Sequence, residues 1–339
     1  MKKTISLLWP LFSSIYSFAQ LDSSKAVDSA PSNATTFTYY IDGYYKGDFA
    51  NKPENNKTSF TNSSNSLKLG MASFKVDHVM GNFGATVDVG VGKRAEEFSY
   101  NDNGVATIFK QAFVSYAPNS TIKFTAGKWA THIGFELLDA YSNRNYSMSY
   151  GFSYGPFFHT GLRADIALGG KSAMMIGVAQ PTDFVSADSP DKMIIAQFST
   201  GTKDDKLKAF LNYQGGKDKS QFDLVVNGIV TSQIGINYDG TVATIAGANW
   251  SSNAFYVNYD PTSKFGFTWR TEFFDDTKSA VGVGTSIFQN TFSANIHFAK
   301  LTLIPELRFD NAKDKIFINN NSHLNPYAGN FLLAAVYKF

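Results

Sequence analysis

Cysteine is absent from the sequence, and long apolar runs are confined to its N-terminus. The absence of cysteine excludes disulfide bonds as a source of stability. Beyond the N-terminus, no stretch reaches the roughly 18–20 apolar residues that a membrane helix needs, which excludes a helical membrane bundle. The formal net charge is only +2, well below the basic excess of nucleic-acid-binding surfaces. We therefore expect no nucleic-acid partner.

Aromatic residues are abundant, whereas proline is scarce. The 339 residues include 31 Phe and 17 Tyr but only 10 Pro, a composition typical of a β-rich protein. A membrane β-barrel alternates apolar and polar residues, so its average hydropathy resembles that of a soluble protein. The slightly negative mean hydropathy of this chain is therefore compatible with a membrane barrel.

Residues 1–19 have the pattern of a secretory signal peptide. Lys2 and Lys3 precede an apolar run, and a small-x-small motif ends at Ala19. We expect this segment to be removed on export. Residues 20–35 are small, polar and aperiodic, and they are predicted to form a disordered mature N-terminus. Removal of Lys2 and Lys3 leaves 28 basic and 28 acidic residues, so the mature chain is formally neutral.

The dominant period of residues 36–339 is two, and no linker divides them, which predicts a single domain. For example, Phe267 and Trp269 alternate with Arg270 and Glu272. The pattern predicts sixteen strands, at 36–47, 65–78, 83–94, 104–117, 121–130, 156–169, 171–180, 192–200, 205–214, 220–229, 232–240, 247–259, 264–275, 284–298, 300–310 and 326–339.

The connections between the predicted strands alternate in length. Those after odd-numbered strands are long, such as 48–64 and 131–155, whereas those after even-numbered strands are tight turns. An up-and-down barrel in an outer membrane has long loops on one side and short turns on the other. We therefore predict an all-β, transmembrane, antiparallel up-and-down barrel of about sixteen strands, with fourteen left open. An even strand number places both termini on the short-turn side.

The second face of the predicted strands carries charges that would be costly in a dry core. A barrel of this size leaves an aqueous channel, which removes that cost. Opposite charges recur two positions apart, and they serve either as a field that orients polar solutes or as salt bridges that stiffen the wall. The predicted pore-lining residues are Asp42, Asp88, Arg94, Arg163, Asp165, Arg270, Glu272, Glu306, Arg308 and Asp310.

The centre of the sequence resembles a known family. The resemblance is carried by Gly127-Lys128-Trp129, by Gly134-Phe135-Glu136, by Asn145-Tyr146-Ser147 and by His159-Thr160-Gly161-Leu162-Arg163. These motifs are similar to those of the OmpL-like β-barrel porins, the second porin family of that kind, and the similarity spans roughly residues 36–339. Membership implies an outer-membrane porin without catalytic residues. The terminal Tyr337 and Phe339 likewise resemble the C-terminal signal that outer-membrane barrels present to their insertion machinery.

The longest loop of the predicted barrel, residues 131–155, is aromatic and low in charge, unlike a solvated outer loop. We predict that it folds inward and narrows the pore. A packed cap or surface lid is the alternative. Its candidate constriction residues are Glu136, Asp139, Arg144, Tyr146 and Tyr150.

Motifs for metal binding and nucleophilic catalysis are absent from the sequence. The five histidines include no pair at i,i+2 or i,i+4, and neither HExxH nor Gly-x-Ser-x-Gly occurs. We expect no cofactor and no enzymatic activity. A lipase whose Ser, His and Asn meet across strands is left as a minor alternative.

Passive diffusion of small hydrophilic solutes or ions through the outer membrane of a Gram-negative cell is the leading functional hypothesis. The alternatives are a non-channel outer-membrane barrel, acting as an adhesin or as a structural or assembly component, and, less favoured, an outer-membrane enzyme. Expected partners are outer-membrane lipid, the barrel-insertion machinery and the solutes, and a homo-oligomer is left open. Both termini are expected in the periplasm.

Overall fold

Sixteen strands form the wall of the molecule, in a computed structural model that describes residues 33–188 and 191–339. They are β1 (Asn33–Asp48), β2 (Ser66–Met80), β3 (Phe83–Val91), β4 (Phe109–Tyr116), β5 (Ile122–Ala130), β6 (Phe158–Gly169), β7 (Ser172–Ala179), β8 (Met193–Gly201), β9 (Leu207–Gly215), β10 (Lys219–Ile229), β11 (Ile234–Ile245), β12 (Ala248–Thr262), β13 (Phe265–Asp275), β14 (Ser286–Phe298), β15 (Leu301–Ala312) and, after a short hairpin, β18 (Tyr327–Lys338). Each wall strand pairs antiparallel with the next, and β18 pairs with β1 to close the sheet. The predicted sixteen-stranded antiparallel barrel is confirmed.

Short elements occupy the connections between wall strands. They are the helices α1 (Lys93–Phe98) and α2 (Tyr150–Tyr154), the 3-10 turns Pro53–Asn55, Gly104–Ile108 and Ala140–Ser142, and the hairpin of β16 (Phe317–Ile318) and β17 (Leu324–Asn325).

Strand β13 illustrates why the wall has two different faces. Phe267, Trp269 and Phe273 point outward and are 42–48% exposed, whereas Arg270 and Glu272 point inward and are 0% and 1% exposed. Side chains of a strand alternate between the faces of its sheet, so a period of two makes the outer wall apolar and the inner wall polar. An apolar exterior and a closed sheet without free edges satisfy the requirements of a hydrocarbon environment.

Most connections are long at one end of the barrel, where those at 216–218 and 246–247 are the short exceptions, and connections at the other end are short. At the short-turn end, two residues join β2 to β3, β6 to β7 and β14 to β15. At the long-loop end, the extended connections include 49–65, 92–108 and 131–157. The predicted loop 241–246 is wrong, because β11 continues to Ile245 and a tight turn at 246–247 with positive φ at both residues leads into β12.

Arg94 lies on α1 and not on a strand, contrary to the prediction. Strand β3 ends at Val91, and Gly92 adopts a φ of 123°. A Cβ at Gly92 would lie 2.6 Å from the carbonyl oxygen of Gly70, so only glycine fits this close approach. The chain then turns into α1, and Arg94 becomes fully buried inside the barrel.

The first strand begins earlier than the sequence predicted. Asn33 already belongs to β1, so the last residues of the predicted disordered segment 20–35 are strand. The rest of that segment and the predicted signal peptide, residues 1–19, lie outside the described residues.

Candidate functional site: the barrel interior

The connection between β5 and β6, residues 131–157, lies inside the barrel, and we call it the inward segment. Its hydrogen bonds to the rest of the chain, from Gly134 to Gly151, reach α1 and inner-face residues of β1, β4 and β10–β15. Those inner-face positions alternate with outward apolar residues. The predicted constriction requires the segment to lie inside the barrel, as it does. That the segment narrows a conducting pore stays a prediction.

Wall carboxylates hold the inward segment through its main-chain N–H groups. The bonds run from Gly134 to Asp223 (3.0 Å), from Phe135 to Asp239 (2.9 Å), from Tyr146 to Glu306 (3.0 Å), and from Tyr150 (2.8 Å) and Gly151 (2.7 Å) to Glu272. An irregular segment lacks the regular main-chain hydrogen bonds of a helix or sheet, so side chains must provide acceptors for its buried N–H groups. Bonds to an ionised acceptor are roughly twice as strong as neutral ones.

Arginines bind the carbonyl oxygens of the same segment. The bonds run from Arg94 to Leu138 (3.1 Å) and Tyr146 (3.3 Å), from Arg270 to Ser147 (2.7 Å), and from Arg308 to Met148 (2.7 Å). The wall therefore offers acceptors and donors that match the polar groups of the segment backbone. Several charges that the sequence predicted to line the pore therefore bind a segment of the chain instead.

Glu136 of the inward segment forms a buried ion pair with Arg270 of β13. Arg270 Nη1 lies 2.6 Å from Glu136 Oε1, and the two side chains are 0% and 3% exposed. Glu136 Oε2 accepts hydrogen bonds from the N–H and hydroxyl of Ser149, at 2.8 and 2.9 Å. Removing one partner would leave a desolvated charge without a counter-ion, so the pair fixes the segment against β13.

The other constriction candidates also contact the wall. The contacts join Asp139 to Lys110 of β4 (2.6 Å), Arg144 to Asp260 of β12 (2.6 Å), the Tyr146 hydroxyl to Asp42 of β1, and the Tyr150 ring to Phe274 of β13 (5.1 Å between ring centres). The structure thus holds all five candidates against the wall, at strands β1, β4, β12 and β13.

All ten predicted pore-lining residues point into the barrel, and all are buried. Their exposed fractions run from 0% for Arg94 and Arg270 to 6% for Arg163. The sequence led us to expect charges facing water, whereas in the structure the inward segment and neighbouring side chains cover them. The physical reason is that the unpaired N–H and C=O groups of an inserted segment compete with water for the same charges.

Two of the predicted i,i+2 charge pairs are direct contacts. Arg163 Nε lies 3.5 Å from Asp165 Oδ2, and Arg308 Nε lies 2.9 Å from Asp310 Oδ2. In the other two, Arg270 with Glu272 and Glu306 with Arg308, each member binds the inward segment. Spacing along a strand therefore identified the charges but not all of their partners.

The inner charges that sequence reasoning missed include Lys110, Asp223 and Asp239. Lys110 Nζ lies 3.0 Å from Asp88 and 2.6 Å from Asp139, so it links the wall to the inward segment. Asp223 and Asp239 receive the beginning of that segment. Asp223 stands between two exposed apolar neighbours on β10, so strict alternation could have identified it.

Asp183, in the connection between β7 and β8, binds the C-terminal end of the inward segment. Its carboxylate accepts hydrogen bonds from the N–H groups of Phe157 (2.7 Å) and Phe158 (3.0 Å) and from the hydroxyl of Tyr100 (3.1 Å). Burial raises the pKa of Asp183 to about 6, and the hydrogen bonds oppose that rise. The effect of burial is the larger because these donors favour the charged form without compensating for lost hydration.

The aromatic C-terminus lies on the outer face at the short-turn end. The rings of Tyr337 and Phe339 are 4.9 Å apart, and Phe339 also contacts Tyr39 of β1 at 5.9 Å between ring centres. The Phe339 N–H donates to the Tyr39 carbonyl at 3.1 Å. These contacts join the last strand to the first where the barrel closes.

Within residues 33–188 and 191–339, no cluster of three His, Cys, Asp or Glu side chains is placed to hold a metal ion. The helices in this described part of the chain are all too short or too polar to cross a membrane.

One family model matches nearly the whole described chain. It is the model for "Putative beta-barrel porin-2, OmpL-like", and it matches residues 34–339. Among curated proteins, no significant sequence match was found.

Solved outer-membrane structures share the fold at low sequence identity. The channel DcaP of Acinetobacter baumannii has a TM-score of 0.61 at 11% identity, over 92% of this chain and 99% of that chain. In vitro folded OmpT of Vibrio cholerae, in its trimer form, gives 0.59 at 13% identity, over 91% and 100%. An anion-selective porin from Comamonas acidovorans gives 0.57 at 11% identity, over 91% and 100%.

Proposed function

Because the chain belongs to the OmpL-like family of β-barrel porins, we propose that it conducts small hydrophilic solutes or ions across the outer membrane by passive diffusion. One observation carries the proposal: a closed sixteen-stranded wall is apolar outside and charged inside. The outer face suits lipid, and the inner face suits solutes that remain hydrated during passage.

In this proposal the inward segment is the constriction of the channel. Glu136, Asp139, Arg144, Tyr146 and Tyr150 narrow the lumen from the segment side. Nine of the ten pore-lining residues act from the wall and Arg94 acts from α1, and most of the ten hold the segment in place. The supporting feature is the set of wall carboxylates and arginines that bond to the segment backbone.

The proposal also gives the molecule an orientation in a Gram-negative cell. Residues 1–19 are removed on export, both termini face the periplasm, and the long loops face outward. Tyr337 and Phe339 are recognised by the insertion machinery. Protease added to intact cells should cut the long loops and spare a C-terminal tag; loss of the tag under those conditions would reverse the orientation.

We further propose a homo-oligomer without catalytic activity. The support for oligomerisation is that OmpT, which shares the fold, was solved in a trimer form. Detergent-extracted protein analysed by native mass measurement should show a multiple of the monomer. A monomer at all detergent concentrations, or hydrolysis of lipid or peptide substrates, would contradict this part of the proposal.

Planar-bilayer recording of the refolded protein tests the channel and its constriction together. The intact protein should give stable open steps, and deletion of residues 136–150 should enlarge them, because that deletion removes the seated part of the inward segment. A matched control deletes the exposed tip 320–322 of the β16–β17 hairpin and should leave step size unchanged. Equal conductance and solute cutoff in all three proteins would reject the constriction.

A non-channel barrel is the second candidate function, favoured by the burial of all ten pore-lining residues. A plugged barrel would stay silent in bilayers even after correct folding. Persistent silence from protein that shows heat-modifiable migration in detergent gels would therefore replace the channel with this second function.

A further inference from the structure

The inward segment leaves one side of the barrel interior much less engaged. From Gly134 to Gly151 its hydrogen bonds go to α1, β1, β4 and β10–β15. Its first residues, in contrast, face β6, β8 and β9: the Thr131 hydroxyl lies 3.2 Å from the His159 ring of β6. The His132 carbonyl accepts from Gln197 (3.5 Å), and the His132 ring bonds the Tyr213 carbonyl (3.1 Å). The part of the segment from Gly134 to Gly151 therefore lies off-centre in the barrel, and strands β5–β8 form the opposite side of the wall.

A cavity of about 40 Å³ lies between the first residues of the inward segment and this β5–β8 wall. It is lined by Ala130, Thr131, His132, Arg163, Asp165, Met175 and Gln197. Among the described residues, Arg163 Nε and Asp165 Oδ2 have no hydrogen-bond partner, although the two groups lie 3.5 Å apart. A cavity of this size has room for water, and the unsatisfied buried polar atoms at its edge require a hydrogen-bond partner.

The Arg163–Asp165 pair also has a connection toward the short-turn end. Lys123 is opposite Asp165 in the register of β5 and β6. Its Nζ lies 3.9 Å from Asp165 Oδ2, and its side chain is 26% exposed. Charged groups therefore lead from the partly solvated end of this wall to the cavity.

The second Arg-x-Asp pair provides the contrast. Arg308 donates from Nε and Nη2 to Asp310 (both 2.9 Å) and from Nη1 to the Met148 carbonyl (2.7 Å) and to Thr58 (3.3 Å). The two pairs have the same residue types, the same spacing and the same inward orientation. They differ in their surroundings: Arg308 donates to Asp310, to Thr58 and to the inward segment, whereas Arg163 and Asp165 border a cavity.

We propose that permeating ions follow the β5–β8 wall past Arg163 and Asp165, and that this pair sets their charge preference. The inference rests on the proposed channel function. Arg163 and Lys123 against Asp165 leave one surplus positive charge along the route, which favours anions. Arg308 and Asp310 act as positioning residues for the inward segment and do not contact the passing ion.

Reversal potentials in a KCl gradient test the role of Arg163 and Asp165. Arg163→Gln should shift the K⁺/Cl⁻ permeability ratio about threefold toward K⁺, the effect of one charge about 6 Å from a screened ion. Asp165→Asn should shift it in the opposite direction. Lys206→Gln is the matched control, because it removes one positive charge from an exposed turn between β8 and β9, and it should leave the ratio unchanged. An unchanged ratio in Arg163→Gln, or an equal shift in Lys206→Gln, would overturn the route.

Cysteine modification provides a readout that does not depend on removing a charge. The chain has no cysteine, so Met175→Cys, in the cavity, offers a single target for a charged methanethiosulfonate reagent. Current through this variant should fall on modification. Ala334→Cys, buried on the inner face of β18, is the control and should not respond.

These experiments distinguish a failure of the proposed ion route from a failure of the proposed channel function. A conducting protein in which Met175→Cys is unreactive, or reacts no faster than Ala334→Cys, overturns the route and leaves the channel standing. An intact protein that never conducts overturns both.

Discussion

Replacing Glu136 with Gln tests whether the charges of the wall serve to seat the inward segment. The substitution preserves size and removes the negative charge that faces Arg270 at 2.6 Å. Arg270 is fully buried and keeps only neutral acceptors, which include the Ser147 carbonyl at 2.7 Å. Loss of one partner of a buried pair costs about 3–5 kcal/mol.

That cost should act on the docking of the segment and not on the barrel wall. The ladder bonds of β13 to β12 and β14 do not involve Glu136. A loss of about 3 kcal/mol changes an equilibrium roughly a hundredfold. We therefore expect a large rise in the occupancy of high-conductance states, with little change in the folding of the barrel.

Single-channel recording measures this occupancy, and limited proteolysis of the inward segment provides an independent signal. Asp205→Asn is a suitable control, because its ion pair with Lys171 at the short-turn end is 38–47% exposed, and such pairs contribute about 0–1 kcal/mol. If Glu136→Gln folds, shows heat-modifiable migration and yet matches the intact protein in open occupancy and protease resistance, the seating argument is wrong.

Three further predictions concern pH, backbone space and assembly. The pKa of Asp183 is raised from 3.8 to about 6 in the folded protein. The stability that protonated Asp183 contributes is therefore complete below pH 3.8 and is lost as pH rises through about 6. Asp183→Asn should remove about 3 kcal/mol from the pH dependence of the unfolding free energy, and an unchanged dependence of that free energy on pH would refute the assignment. Gly127 has a φ of 129°, and a Cβ there would lie 2.3 Å from the Ala112 carbonyl oxygen, so Gly127→Ala should lower the refolding yield in detergent whereas Gly81→Ala, with open space around it, should have a smaller effect. Deletion of Phe339 should reduce the amount of folded barrel in outer-membrane fractions, and a normal amount would remove the residue from the insertion signal.

The barrel wall was largely predictable because contact with lipid on one face constrains the sequence of each strand separately. In β13, every second residue must suit lipid, so Trp269 and its apolar neighbours reveal the strand and its outward face without knowledge of any partner. The errors arose where alternation ends for other reasons. At Gly92 the chain turns from β3 into α1 with a φ of 123°, beside the Gly70 carbonyl, where only glycine fits. Strand β11 runs on to Ile245, and no apolar pattern marks the tight turn at 246–247 that follows.

The sequence predicted which residues belong to the candidate site, but it did not predict which groups they contact. The alternation placed Glu272 and Glu306 on the inner face, and composition singled out residues 131–155 as unusual for an exposed loop. No sequence spacing states that Glu272 receives the N–H groups of Tyr150 and Gly151. Those groups are more than a hundred residues apart in the chain, and only closure of the barrel brings them together.

The sequence by itself determined an antiparallel barrel with an apolar exterior and a charged interior, because a strand in lipid imposes its period on every second residue. Only the tertiary structure decided what the interior charges contact. The two Arg-x-Asp pairs have the same residue types and spacing, yet Arg308 donates to Asp310, Thr58 and the inward segment, whereas Arg163 borders a cavity. The difference arises because the segment enters between β5 and β6 and seats against the opposite wall, a choice made by many distant hydrogen bonds acting together.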